Sequence, residues 1–346
     1  MVRIGEYFDP YYTPFWTILR QVGIDCAISK LDRRFDGEWN NSGDKPWDYA
    51  PLYAMKRRYE DAGLELVGIE DYPAMDKTRL GLPGRDEEIE AVCTLIRNMG
   101  KLEIPMLCYN WMGCINWVRT DIARPARAGA KVTAFRHTDM GDPGLTWAGQ
   151  VPAEQLWDAW EYFMDIAVPV AENAGVRLAM HPDDPPIGEV RGIARIMNSV
   201  ESYDRAMAYI ESAANAICLC QGNFALFCDD LPSVIRHFGR KGHLTFGHFR
   251  DVEGTAFDFT ETFHDEGMTD KVACMQAWHE IGFTGVLRPD HVPTLEGESN
   301  DDPGYAWLAR LHAVGYLQGL RAAAVHRMAQ SEFSPAQTAP QARARP

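Results

Sequence analysis

With 346 residues, 46% of them hydrophobic, the chain can bury one large core or two smaller ones. Its 34 basic against 49 acidic residues give a formal net charge of -15, which opposes nucleic acid and anionic membrane surfaces and obliges an anionic substrate to find a local positive centre. No apolar run approaches a membrane span and the opening MVRIGEYFDP has no signal-peptide core, so the expectation is a cytoplasmic protein.

Short apolar runs predict strands at 2–8, 26–30, 64–70, 104–110, 176–182, 216–222, 244–250 and 286–291. Segments of helical period at 13–22, 48–63, 85–101, 153–174, 192–214, 230–241, 267–282 and 303–326 alternate with them. Strand followed by helix, eight times, predicts an α/β protein built as a single (β/α)8 TIM barrel over 1–328. The stretches EDAGLELVG, ENAGVRLAM and HEIGFTGVL repeat one punctuation, a glycine closing a helix before an apolar strand. Residues 111–152, after strand 4, fall outside the pattern and read as an insertion serving as a lid or an oligomer contact. The tail 329–346 has almost nothing to bury and reads as disordered. Eight cysteines without a CxxC pair point to reduced thiols rather than a disulfide scaffold.

In a parallel barrel the carboxyl ends of the strands converge on one pocket. Glu70, Asp71, Asn110, His181, Cys220, His248, Arg250, Arg288, Asp290 and His291 stand there. Two imidazoles, one thiolate and one carboxylate from four successive strands, His181, Cys220, His248 and Asp290, make a metal-ligand set. Such a mixed set admits Fe2+, Mn2+, Co2+ or Zn2+, whereas Mg2+ and Ca2+ avoid sulfur. Cys218, the same-face neighbour of Cys220, is expected one layer deeper in the core. His243, His264 and His279 are expected on a loop or helix surface. Asp183 and Asp184 in RLAMHPDDPP are expected to orient neighbouring groups or cap the next helix rather than exchange protons.

The stretches LAMHPDDPP, CQGNF, GHFRDV, ETFHDEGMTD, RPDH and DDPGYAWLARLHAVGYLQGL, with CYNWM and WVRTD before them, resemble the successive motifs of the mannonate dehydratase family. The resemblance implies a metal-dependent barrel that converts D-mannonate into 2-keto-3-deoxy-D-gluconate with Mn2+ or Fe2+. It implies the same four ligands, and a share in proton transfer for His291 and Tyr305 beside the ligand Asp290. Asn110, Arg250 and Arg288 are the expected contacts to a small anionic sugar acid, and a homodimer is what the family suggests. The chain departs from the family at Val292, Asp251 and QGNF, and in RIGEYFDPYY and GIEDYP. Alternatives on the same barrel are a metal-dependent sugar isomerase or epimerase and a dehydratase of a different aldonic acid. A third, of another class, is a carbohydrate-binding protein with a structural metal.

Overall fold

The computed structural model describes residues 2–36 and 43–333. Eight parallel strands close a barrel: β1 (Arg3–Phe8), β2 (Cys26–Ser29), β3 (Glu65–Ile69), β4 (Met106–Asn110), β5 (Arg177–His181), β6 (Asn215–Cys220), β7 (Leu244–Phe249) and β8 (Val286–Pro289). Each pairs with its neighbours in sequence, and β8 returns to β1. The expected α/β (β/α)8 barrel is therefore the observed one. Inward residues Cys26, Ile28, Val67, Met106, Cys108, Ala179, Cys218, Phe246 and Val286 fill the barrel as one apolar layer. A larger apolar layer lies between strands and helices, with Trp16, Trp160 and Trp278 among its fully buried side chains.

Register is what builds the site. Asn110 stands opposite His181, Cys220 opposite His248, and His248 opposite Arg288. Parallel pairing thus brings strand-end side chains distant in sequence to one level. The three glycine punctuations also hold: Gly63, Gly175 and Gly282 take φ of 72°, 68° and 66°, the left-handed conformation that ends a helix.

Four features depart from the expected pattern. The helix expected over 192–214 spans only Val200–Tyr209, because Ser199 caps it by accepting from the Ser202 amide. The residues before it instead form a small hairpin, Glu189–Val190 with Ile193–Ala194. The strand expected to reach 222 ends at Cys220, and Gln221–Ala225 turns into a short helix. The last helix runs Trp307–Phe333, so residues 329–333 of the expected disordered tail are helical, and 334–346 lie outside the described residues.

The insertion 111–152 is partly a β structure. Its strands Asp121–Pro125 and Lys131–Arg136 join Asp258–Glu261 and Val252–Thr255, an excursion after β7, in a four-stranded antiparallel sheet. Phe135, Val252 and Phe259 form its core with Ile187 and Val190.

Candidate metal and proton-transfer site

A cavity of about 500 Å³ opens at the carboxyl ends of the strands, lined among others by Glu70, Asn110, His181, Asp184, His248, Arg288, Asp290, His291 and Tyr305. His181 and His248 line it, and they and Cys220 each offer one donor atom within 4.8 Å of the others. The His181 Nδ1 donates to the Pro182 carbonyl at 2.7 Å, which leaves Nε2 as a lone pair facing the His248 Nδ1 at 3.2 Å. The Asp290 Oδ2 lies 3.4 Å from that same His248 nitrogen. Cys220 is fully buried behind the cavity wall.

The electrostatics suit metal ligation. Burial alone would push the Cys220 thiol up, but the Arg250 guanidinium, with His181 and His248, brings it down to about 5. Burial likewise disfavours an ionised Asp290, yet His291, Arg288 and His248 hold the carboxyl well below its usual range. Burial and Arg288 oppose a charged His248, but Glu70 and Asp290 outweigh them and favour positive charge there. Two imidazoles, a thiolate and a carboxylate fit a divalent transition-metal cation. Cys218, as expected, lies in the apolar layer beneath.

The arginines do not stand as expected. Arg250 does not line the cavity, and its donors are engaged behind it: Nε on Cys220 Sγ at 3.2 Å, Nη1 on Glu261 at 2.9 Å, Nη2 on Asp184 and on the Asn223 side-chain Oδ1 at 2.9 and 2.8 Å. Gly222 permits this approach, since a Cβ there would lie 2.6 Å from Arg250 Nη1. Arg288 does line the cavity, but it bonds Glu70 through Nε and Nη2 at 3.0 and 2.8 Å and Asp290 through Nη1 at 2.9 Å. Both guanidiniums are thus neutralised by acids. Asn110 faces the cavity with its amide oxygen accepting from the Met112 amide at 3.1 Å.

His291 stands at the edge of the cavity with φ of 40°, an uncommon backbone for a histidine. Its ring lies between Trp117 and Tyr305, at centroid distances of 5.2 and 5.7 Å. Burial raises the Tyr305 phenol above its ordinary range, Asp290 adding to the effect. Behind His291, the Glu261 Oε1 lies 2.9 Å from Nδ1. Arg119 and Arg250 both bridge Glu261 and Asp184, making a buried ring of two cations and two anions. Glu261 is driven down to about 2, the cost of burial being outweighed by Arg250, His291 and Arg119.

Sequence reasoning placed Glu70 at a strand end but gave it no role, and it missed Arg119 and Glu261. The last two sit within WVRTD and ETFHDEGMTD, so the motif pattern was the available signal. Asp183 does not cap the next helix, which Ser199 caps; it pins the preceding loop, accepting from the Met197 amide at 2.7 Å. His264 corrects the surface expectation: it lies just beyond the strand that ends at Glu261 and is buried, and burial lowers its imidazole to about 4.

The model of the family D-mannonate dehydratase (UxuA) matches residues 19–148 and 145–332. Mannonate dehydratase 2 of Halalkalibacterium halodurans is 32% identical over 301 residues, 79% of this chain and 87% of the relative. The chain belongs to the D-mannonate dehydratase family. The mannonate dehydratase of Thermotoga maritima is 31% identical over 309 residues, 79% of this chain and 85% of its own length. The crystal structure of a family member, mannonate dehydratase from Streptococcus suis serotype 2, superposes with a TM-score of 0.84 at 28% identity, over 98% of this chain and all of the other. An L-ribulose 3-epimerase shares the fold alone, with a TM-score of 0.58 at 16% identity over 98% of this chain and all of the other. Among the described residues no helix is long and apolar enough to cross a membrane.

Proposed function

We propose that this member of the family removes water from D-mannonate to give 2-keto-3-deoxy-D-gluconate, as a cytoplasmic enzyme using Mn2+ or Fe2+. The observation that carries the reading is the meeting of His181, Cys220 and His248 within 4.8 Å, with Asp290 3.4 Å from His248 and its chain neighbour His291 beside Tyr305. His181, Cys220, His248 and Asp290 would hold the ion. When bound, it supplies the positive charge that draws in the substrate carboxylate and offsets the negative charge developing as the C2 proton leaves.

The chain's residues do the rest. His291 and Tyr305 divide two proton transfers, one taking the proton from C2 and the other protonating the C3 hydroxyl as it departs as water. The C2–H and C3–O bonds break, a C2=C3 double bond forms, and the resulting enol tautomerises to the 2-keto product. Glu70 and Asp290 neutralise Arg288, and Asp184 and Glu261 neutralise Arg250. Neither guanidinium is then free as the positive centre that a chain of net charge -15 needs for an anionic sugar acid.

The test is to load purified protein separately with Mn2+, Fe2+, Co2+ and Zn2+ and to assay a panel of aldonic acids for 2-keto-3-deoxy products. D-Mannonate with Mn2+ or Fe2+ is expected to turn over fastest. Turnover of another aldonic acid alone would correct the substrate, and preference for Zn2+ or Co2+ would correct the metal. Size-exclusion chromatography with light scattering tests the homodimer.

A further inference from the structure

We infer that Glu261 is a positioning residue that fixes His291 in the tautomer with a proton on Nδ1, leaving Nε2 as the base that takes the substrate proton. The inference rests on the reading that His291 exchanges a proton with substrate, and it decides which direction that exchange runs. Two groups face Nδ1: the Glu261 carboxylate oxygen at 2.9 Å, which can only accept, and Arg119 Nη2 at 3.4 Å, which can only donate but is already engaged at shorter range by Asp184 and Glu261. The nearer carboxylate makes Nδ1 the nitrogen that donates, and a neutral imidazole then keeps its lone pair on Nε2.

The surroundings hold this arrangement firmly. Glu261 ends the strand Asp258–Glu261, paired with Val252 on one side of the antiparallel sheet. Its Oε1 accepts from Arg119 Nη2 at 2.5 Å and from Arg250 Nη1 at 3.0 Å, and its Oε2 from Arg250 Nη1 at 2.9 Å. Asp184 accepts from Arg119 Nη1 and Nη2 at 2.5 and 2.9 Å and from Arg250 Nη2 at 2.9 Å. Two cations and two anions balance, so Glu261 lends His291 direction without leaving a net charge behind it. Arg119 enters from the insertion after β4 and Glu261 from the excursion after β7. The two excursions that form the added sheet thereby deliver both groups to the back of one histidine. The Trp117 and Tyr305 rings on its flanks limit rotation of the imidazole.

Nitrogen-15 NMR of histidine-labelled, metal-free protein at pH 8 reads the tautomer directly, with His291→Asn assigning the signal. The expected result is a proton on Nδ1 and a bare Nε2; a proton on Nε2 would overturn the inference. In the Mn2+-loaded enzyme, Glu261→Gln is expected to lower kcat on the order of 100-fold, with KM within about two-fold and metal content unchanged, and Glu261→Asp to recover part of the loss. Full activity of Glu261→Gln beside an inactive His291→Asn would overturn the positioning role alone. Full activity of His291→Asn would instead overturn the reading of His291 on which it stands.

Discussion

His181 Nε2 and His248 Nδ1 face each other at 3.2 Å, although 67 residues separate them in the chain. Two ring nitrogens cannot approach so closely as two bare lone pairs, and the His181 Nδ1–H is already committed to the Pro182 carbonyl. Either His248 carries the intervening proton, or a cation shared with Cys220 takes its place.

Substitution of Cys220 by Ser should therefore weaken Mn2+ binding by more than about 100-fold, since it removes a ligand and not merely an outer partner. Isothermal titration of chelator-treated protein checks this. Wild-type protein should also gain about 2.7 kcal/mol of stability at a free Mn2+ concentration 100 times its Kd, and Cys220→Ser should not gain it at that same concentration.

Arg250 supports the site from behind rather than binding substrate. Arg250→Met would leave Asp184 and Glu261 buried with Arg119 as their shared guanidinium, at an expected cost of about 3–5 kcal/mol in urea unfolding.

At Gly222, alanine would place its Cβ 2.6 Å from Arg250 Nη1 and 2.9 Å from Cζ. Gly222→Ala should cost about 1–3 kcal/mol by overpacking. Because the obstruction is the guanidinium itself, adding it to Arg250→Met should cost less than the sum of the two single changes, as a double-mutant cycle of unfolding measurements would show.

Acid stability follows from Glu261. Its folded value of about 2 lies below the ordinary 4.5, so the unfolded chain binds the proton first as pH falls. The ionised group contributes stability that is fully present above pH 4.5 and is lost as pH falls from there through about 2. Asp184, also held below its ordinary range by Arg119 and Arg250 against the cost of burial, adds in the same direction. Unfolding free energy measured from pH 6 to pH 3 should fall steeply for the wild type and less steeply for Glu261→Gln.

The barrel was legible in the sequence because each strand is a short apolar run and glycine closes the helix before several of them. The four proposed ligands were legible for a related reason: parallel register carries strand ends to a common level, so His181, Cys220, His248 and Asp290 could be read as neighbours from strand order alone. The ion-pair ring had no such signal. Arg119 and Glu261 lie on excursions 142 residues apart, joined by an antiparallel sheet that no periodicity connects. Arg250 was misread for the same reason, since a strand-end arginine seems free until the carboxylates that consume its donors are placed. His264 shows the limit in reverse, being buried within a segment that reads as a polar loop.

The most direct test of the central claim is NMR of the product formed from D-mannonate in D2O by the Mn2+-loaded protein. Dehydration predicts 2-keto-3-deoxy-D-gluconate carrying deuterium at C3, delivered when the enol collapses to the ketone. A product that keeps every oxygen of the substrate, such as the C2 epimer, would contradict the account.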